Sequence, residues 1–282
     1  MKNTNHSLFD KYEMIKDLGT GSSGSVTLVR HISMDQERAL KKVPKASAFA
    51  ESALSEARLL KSLEHPSIPR IFDFEEDNAF YYIVEEYIDG ETLDSFLLHQ
   101  QLISPGFFFN ICEQLCNVFI YLHTQISTPI IYRDLKPEHI IVCHNKLKLI
   151  DFGVSAYVIQ DGNNFNHYGN IEFSAPECFT EDTITPAADI YSLGQLLQYI
   201  LTFTPDSFSH KFQHIIQKAT TSDASLRYVT VAELYQEIQE IQKLTGQPHL
   251  IHKIAVLGSH RGCGSTLSLI HISEPTRHAQ IS

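Results

Sequence analysis

Three short segments in the middle of the chain constrain its fold and chemistry more than any other feature. Residues 132–139 read YRDLKPEH, residues 151–153 read DFG and residues 175–177 read APE. Each segment alone is a weak signal, whereas their order and separations together are specific. Carboxylates and a Lys at these spacings predict a site at which a phosphoryl group is transferred.

Three charged side chains of these segments divide the chemistry among them. Asp134 can take or orient the proton of an attacking hydroxyl, Lys136 can reach the transferred phosphate, and Asp151 can hold Mg²⁺. Together the segments resemble the catalytic core of the protein kinase family. Residues 135–138, which read LKPE, resemble the Ser/Thr branch of that family rather than its Tyr branch.

The upstream half of the chain carries a Gly-rich loop, GTGSSGSV, at residues 19–26. Such a loop also fits a dinucleotide-binding turn, but that turn must open a helix. Here the loop leads into the β-branched residues 26–30, which predict a strand and favour the kinase hairpin. The resemblance implies that five of these and nearby positions contact ATP: Gly19, Gly21, Gly24, Val26 and Ala39.

The resemblance also assigns the remaining contacts of the nucleotide. Lys41 would pair with the α- and β-phosphates, and Glu56 would brace Lys41, with Glu51 as the alternative brace. Backbone groups of Glu86 and Ile88 would bond the edge of adenine, and the side chain of Ile141 would pack on its face.

The fold class implied by the resemblance is α+β, a two-lobed protein kinase fold. It has a small β-rich N-lobe with one helix, which we expect at residues 10–88, and a larger helical C-lobe, which we expect at residues 89–246. One helix is predicted over residues 47–62. The predicted strands lie near residues 12–18, 25–32, 37–43, 71–75 and 80–85.

Apolar spacing predicts two helices in the C-lobe, over residues 107–122 and, buried on nearly all sides, over residues 189–197. The stretch from Leu201 to His210 is short, so a substrate-docking helix of the family is expected to be reduced or missing. The resemblance makes three charged residues structural. Asp189 would hold the backbone of the catalytic loop, and an ion pair would join Glu177 to Arg227.

Four positions depart from the family. Tyr132 replaces a His, and Asn170 stands where a Thr would brace Asp134 and Lys136. Glu85 occupies a usually apolar or Thr position behind adenine, where a buried carboxylate is costly unless paired. It competes with Glu56 for Lys41, and we expect the helix of Glu56 to swing out when Glu85 takes that Lys.

The fourth departure, His139, replaces the Asn that binds the second Mg²⁺. Mg²⁺ prefers oxygen ligands, whereas imidazole suits softer metals. The metal ligands are therefore expected to be Asp151 and His139. The expected metal ion is Mg²⁺, with Mn²⁺ favoured over it if His139 is a ligand. The alternative is that His139 points away and a single metal ion on Asp151 suffices.

Composition limits the compartment and the partners. The chain of 282 residues has a formal net charge of −11, which argues against nonspecific binding to nucleic acid or to an anionic membrane. It contains no apolar run long enough to span a membrane. Five Cys without disulfide-like spacing and the lack of a signal-peptide pattern predict the cytoplasm. Cys112 and Cys116 are expected to be core residues rather than a metal or redox pair.

The last part of the chain differs from the rest. Residues 247–266 are expected to be a linker and the truncated, degenerate start of a MinD/ParA-like P-loop domain, in which Ser265 stands where that family has its Lys. The alternative is a linker with three glycines. Residues 267–282, LSLIHISEPTRHAQIS, resemble the translation of a sequencing-library adapter, the alternative being a natural disordered tail. We expect the natural gene to continue past Thr266.

The resemblance implies an ATP-dependent Ser/Thr protein kinase, an enzyme that transfers the γ-phosphoryl group of ATP to hydroxyls of a protein substrate. The alternative is a nucleotide-binding pseudokinase that regulates a lost C-terminal domain, and a purely structural role ranks third. Residues 154–174 contain no Thr. Activation is therefore expected without phosphorylation of a Thr in that segment.

Overall fold

The computed structural model of the chain describes residues 8–21, 24–124, 128–157, 171–180 and 184–246. Two expectations lie outside these residues. They are the brace at Asn170 and the assignments made for residues 247–282.

The N-lobe is built on one antiparallel sheet of five strands. The strand order is β1-β2-β3-β5-β4, with every neighbouring pair antiparallel. A single turn of helix precedes it, α1 at Leu8–Lys11. All five predicted strands are present: β1 Tyr12–Gly21, β2 Gly24–His31, β3 Gln36–Pro44, β4 Ile71–Glu76 and β5 Phe80–Glu86.

The predicted N-lobe helix is α2, Ala50–Lys61. The buried side chains of its N-terminal half, residues 50–55, are both small, Ala50 and Ala53. Ala53 packs with Val43 and Ile83 of the sheet. The C-terminal half of α2 buries Leu59 and Leu60, which join the main apolar core of the molecule. The two ends of α2 are therefore anchored very differently.

The C-lobe is mainly helical, and the two-lobed α+β fold is confirmed. The predicted helix over residues 107–122 is α4, and the predicted buried helix lies within α5. α4 packs against α8, and α5 packs against α7. The helices are α3 Leu93–Gln100, α4 Pro105–Thr124, α5 Ala187–Leu201, α6 Asp206–Ser209, α7 Gln213–Ala219 and α8 Val231–Leu244.

Short strands of the C-lobe lie beneath the cleft between the lobes. They form a three-stranded sheet of order β6-β8-β9 and a two-stranded pairing of β7 with β10. Their bounds are β6 Glu91–Thr92, β7 Ile130–Ile131, β8 Ile140–Cys143, β9 Lys146–Leu149 and β10 Ala156–Tyr157. Four 3₁₀ turns complete the described elements: Pro137–His139, Pro176–Phe179, His210–Phe212 and Ala224–Leu226.

The helix expected to be reduced is α6, which has only 4 residues. Phe208 anchors it, with its ring edge-on to Phe108 and Phe109 at centroid distances of 5.5 and 5.6 Å. Phe212 joins the same group, 4.8 Å from Phe108. A cluster of four aromatic rings thus replaces helix length as the means of attachment.

The ion pair expected between Glu177 and Arg227 in the C-lobe is present. The guanidinium of Arg227 donates to both oxygens of Glu177, at 2.5 and 2.8 Å, and its side chain has no exposed surface. Cys112 and Cys116 are buried in the main core with free thiols, as expected of core residues. Burial raises the pKa of both thiols.

A loop after α2 joins the lobes beside the cleft. The Leu149 N–H donates to the Ser67 carbonyl at 2.8 Å, and the Lys148 ammonium donates to the Glu86 carboxylate at 2.7 Å. The Tyr121 hydroxyl accepts from the Glu64 N–H at 2.8 Å.

Among the described residues, no helix has the length and apolar character needed to cross a membrane.

Candidate active site

The catalytic loop that follows β7 is fixed by Asp189 of α5. The Asp189 carboxylate accepts hydrogen bonds from the backbone N–H groups of Tyr132 and Arg133, each at 2.9 Å. The His123 Nε2 lies 2.9 Å from the same carboxylate. Arg133 adopts a φ of 74°, a conformation that costs energy for a residue other than Gly. The buried carboxylate holds the loop in this shape.

Asp134 and Lys136 lie together at the mouth of the cleft. The Lys136 ammonium is 3.1 Å from Asp134 Oδ2, and both side chains are largely buried, with 16% of Asp134 and 22% of Lys136 exposed. A partly desolvated carboxylate beside an ammonium can accept a hydroxyl proton while the cation faces a transferred phosphate.

His139 lies between the two catalytic carboxylates. Its Nδ1 is 3.0 Å from the backbone oxygen of Asp134 and 3.3 Å from Asp134 Oδ2. Its Nε2 is 3.6 Å from Asp151 Oδ2. The Asp134 carbonyl can only accept a hydrogen bond, so Nδ1 carries the hydrogen of that bond and Nε2 is the ring nitrogen that faces Asp151.

Asp151 presents its carboxylate to the cleft from an unusual backbone conformation. Its φ is 62°, and its side chain is 51% exposed. Oδ1 accepts a hydrogen bond of 3.3 Å from the Gly153 N–H, which fixes the carboxylate at the turn. Asp tolerates this left-handed region better than most residues, because its short polar side chain bonds locally.

Lys41 pairs with Glu56, its Nζ lying 2.5 Å from Glu56 Oε2. The other oxygen of Glu56 accepts from the Phe152 N–H at 3.0 Å. Burial alone lowers the pKa of Lys41, but the charge and hydrogen bond of Glu56, with Asp151 and Glu85, raise it above its ordinary value. Glu51, the alternative brace, is exposed on the opposite side of α2.

Lys41 pairs with Glu56 and not with Glu85 in this structure, so the condition under which α2 was expected to swing out is not met. The second bond of Glu56, to Phe152, gives that pairing an advantage that Glu85 does not have. Glu85 is half-buried on β5. Burial raises its pKa to about 7, the charge of Glu56 adds to the rise, and Lys41 opposes it.

The residues expected around adenine share one face of the sheet. Val26 pairs with Lys41 across β2 and β3, and Ala39 pairs with Glu85 across β3 and β5. Directly paired residues of antiparallel strands point to the same side, so these four side chains line one surface. Ile141 lies half-buried on β8 of the C-lobe.

Glu86 and Ile88, the residues predicted to contact the edge of adenine, each have one backbone group left for that contact. The Glu86 N–H donates to the Arg70 carbonyl at 2.8 Å. The backbone carbonyl of Glu86 is therefore the group of this residue that remains for a hydrogen bond with adenine. The Glu86 side chain turns away to Lys148. The Ile88 carbonyl accepts from the Gly90 N–H at 3.0 Å, which leaves the N–H of Ile88 as its group for the nucleotide edge.

The Gly-rich loop spans the turn from β1 to β2, of which residues 22 and 23 lie outside the described residues. Gly19 pairs with Val26, and Gly21 pairs with Gly24. Gly24 has a φ of 148°, and a Cβ there would lie 2.1 Å from the Lys42 carbonyl oxygen. Close packing of β2 on β3 is a sufficient reason for Gly24, without any phosphate.

The sequence did not predict the roles of two residues of the site, Tyr132 and Ser52. The Tyr132 hydroxyl donates to the Ile150 carbonyl, and its ring stands edge-on to Phe152 at 5.1 Å. The Ser52 hydroxyl donates to the Gly153 carbonyl. The spacing of Ser52 four residues before Glu56 was a usable signal, because it puts both on one face of the helix.

Comparison with known proteins agrees with this geometry. The protein kinase domain family matches residues 12–261. Serine/threonine-protein kinase PrkC of Bacillus subtilis is 28% identical over 264 residues, covering 81% of this chain and 40% of that protein. Serine/threonine-protein kinase PknB of Mycobacterium tuberculosis is 27% identical over 280 residues, covering 86% of this chain and 44% of that protein.

Calcium-dependent protein kinase 4 of Plasmodium falciparum is 32% identical over 220 residues, covering 73% of this chain and 40% of that protein. The chain thus spans less than half the length of these curated relatives. Because the family match includes both lobes and every charged residue of the cleft, the chain belongs to the protein kinase domain family.

Proposed function

We propose that the chain transfers the γ-phosphoryl group of ATP to Ser or Thr hydroxyls of a protein. The observation that carries the proposal is the complete set of cleft charges in mutually supporting positions. Lys41 lies on Glu56 at 2.5 Å, while Lys136 lies on Asp134 at 3.1 Å. The names of both bacterial relatives specify Ser/Thr kinases, which supports the same hydroxyl class.

Each residue has a distinct task in this proposal. Asp134 accepts the hydrogen bond of the substrate hydroxyl and takes its proton as the phosphoryl group is transferred. Lys136 stabilises the negative charge on that group, and Lys41 positions the α- and β-phosphates. Glu56 holds Lys41 in place. A nucleotide base would lie between the lobes on Val26, Ala39 and Ile141, with its edge at Glu86 and Ile88.

The metal requirement fits the side chains at the cleft. Protein kinases use a divalent metal ion, which neutralises phosphate charge when bound. The exposed Asp151 carboxylate and the Nε2 of His139 face each other at 3.6 Å, a separation suited to two ligands of one ion. We propose that both are ligands and that Mn²⁺ supports activity better than Mg²⁺.

The central experiment measures transfer of radiolabelled phosphate from ATP to a generic protein substrate. Asp134→Asn should reduce transfer by about a thousandfold or more while nucleotide binding persists, because only the proton acceptor is lost. Lys41→Met should impair transfer through lost phosphate positioning. Near-native transfer by Asp134→Asn would refute the assignment of this loop.

The pseudokinase alternative rests on the substitution at His139. It predicts that ATP with a metal ion raises the melting temperature while wild type transfers no phosphate. The metal assignment has its own test, the ratio of rates with Mn²⁺ and Mg²⁺ in wild type and His139→Asn. Restored Mg²⁺ preference in His139→Asn supports ligation by His139, and equal ratios refute it.

Three further proposals concern the setting of the domain. The buried free thiols and the acidic charge are compatible with the cytoplasm. The P-loop resemblance at residues 247–266 would add a nucleotide-binding domain in the full-length gene. Sequencing that gene past codon 266 tests this proposal and the adapter origin of residues 267–282 together.

A further inference from the structure

Helix α2 is attached to the Asp-Phe-Gly segment at two adjacent peptide groups. The Phe152 N–H donates to Glu56 Oε1 at 3.0 Å. The next residue, Gly153, accepts through its carbonyl from the Ser52 hydroxyl. Ser52 and Glu56 are one helical turn apart and face the same side. The segment is therefore held through both a donor and an acceptor.

The bond from Ser52 is not the bond that a Ser in a helix ordinarily makes. A helical Ser hydroxyl usually donates to a carbonyl three or four residues earlier in its own helix. Ser52 instead bonds a residue 101 positions later in the chain. Gly153 allows this approach, since a Cβ there would lie 3.3 Å from Ser52 Oγ and 3.2 Å from Asp151 Oδ1.

The N-terminal half of α2 has few other attachments. Its N-cap residue, Phe49, makes no side-chain capping bond. Its buried side chains are Ala50 and Ala53, each of which contributes only about 1 kcal/mol of apolar burial. Polar bonds from Ser52 and Glu56 therefore carry a large share of the attachment of this half of the helix.

We propose that Ser52 is a positioning residue for phosphoryl transfer, which holds α2 against the Asp-Phe-Gly segment and so keeps Glu56 on Lys41. The inference rests on the function proposed above. It also accounts for activation without a phosphorylated Thr, because the attachment uses only residues of α2 and of the segment itself. Residues 154–174 offer no Thr for that purpose.

The experiment compares Ser52→Ala with Ser55→Ala in the full chain. Ser55 lies on the same helix but is exposed, so its substitution is matched in chemistry and helix propensity. Ser52→Ala should lower kcat about tenfold, the value expected for one lost positioning hydrogen bond, with a smaller change in KM for ATP. Ser55→Ala should keep the wild-type kcat.

Hydrogen exchange of the backbone amides of α2, measured without nucleotide, gives a readout independent of activity. Ser52→Ala should speed exchange in the N-terminal half of α2 and not in α4 or α5. Ser52→Thr, which keeps the hydroxyl, should retain at least about half of kcat and the slow exchange. A conservative rescue of this kind separates the hydrogen bond from a general loss of packing.

Two results would overturn the proposal. One is a Ser52→Ala variant whose kcat and whose amide exchange in α2 both equal those of the wild type. The other is equal loss in Ser52→Ala and Ser52→Thr. If the wild-type chain transfers no phosphate at all, the proposed function fails, and the exchange data alone still decide whether Ser52 holds α2.

Discussion

At the scale of single residues, the cleft is defined by how three carboxylates share one ammonium. Glu56 takes Lys41 because its second oxygen is fixed by Phe152. Glu85 and Asp151 contribute only longer-range charge to Lys41. The carboxylate of Glu85 makes no side-chain hydrogen bond among the described residues, and burial makes its charged form unfavourable.

That cost predicts a dependence of stability on pH. The pKa of Glu85 rises from its ordinary value of 4.5 to about 7 on folding, so the folded state binds a proton that the unfolded state has released between these values. The free energy of unfolding should therefore fall as pH rises from about 4.5 to 7. Glu85→Gln should remove this penalty and stabilise the protein by about 2 kcal/mol at pH 8.

Urea unfolding at pH 5 and pH 8 measures the effect, with the exposed Glu51→Gln as control. The gain in Glu85→Gln should be larger at pH 8 than at pH 5, whereas Glu51→Gln should show no such difference. A wild type that is more stable than Glu85→Gln at pH 8 would show that the charged carboxylate is favourably paired.

At the scale of elements, the sequence predicted most of what a periodic pattern or a motif can encode. Five strands and α2 lie within a few residues of their expected bounds, because alternation and apolar spacing mark them. The pairing of Lys41 with Glu56 follows from motif order. The bonds of Tyr132 and Lys148 were not predictable, because each joins residues far apart in sequence through tertiary placement alone. The spacing of Ser52 and Glu56 places both on one face of α2, but no pattern in the sequence identifies Gly153 as the acceptor of the Ser52 hydroxyl.

The short helix α6 shows how packing replaces helix length. Phe208→Ala should destabilise the protein by about 3 kcal/mol, because the ring is 6% exposed and packs on three other aromatic rings. Chemical denaturation measures the loss, and Leu226→Ala, at an exposed apolar position, is the control. Binding of ATP at low temperature should be unchanged, since α6 lies outside the cleft. A loss under about 1 kcal/mol would mean that the four rings do not anchor α6.

At the scale of the whole molecule, the two lobes meet through a partly buried ion pair. Lys148 of β9 contacts Glu86 of β5 at 2.7 Å and the Ile68 carbonyl at 3.3 Å. Lys148→Met should cost about 2 kcal/mol and raise KM for ATP, because it leaves the Glu86 carboxylate without its cation beside the hinge.

The double variant Lys148→Met with Glu86→Leu distinguishes pairing from packing. Replacing both partners removes the uncompensated charge, so the double variant should be more stable than Lys148→Met alone. Thermal unfolding of the single and double variants provides the comparison. Additive losses would show that the two side chains act independently.

The double attachment of the Asp-Phe-Gly segment has a consequence for small molecules. Phe152 is 1% exposed beneath Tyr132, and the peptide groups beside it are bonded to Glu56 and Ser52. An inhibitor that binds by displacing Phe152 must break both bonds before it gains any contact. Compounds that occupy only the adenine space leave both bonds intact. A screen against this protein should therefore find more of these compounds than of compounds that displace Phe152, and they should bind faster.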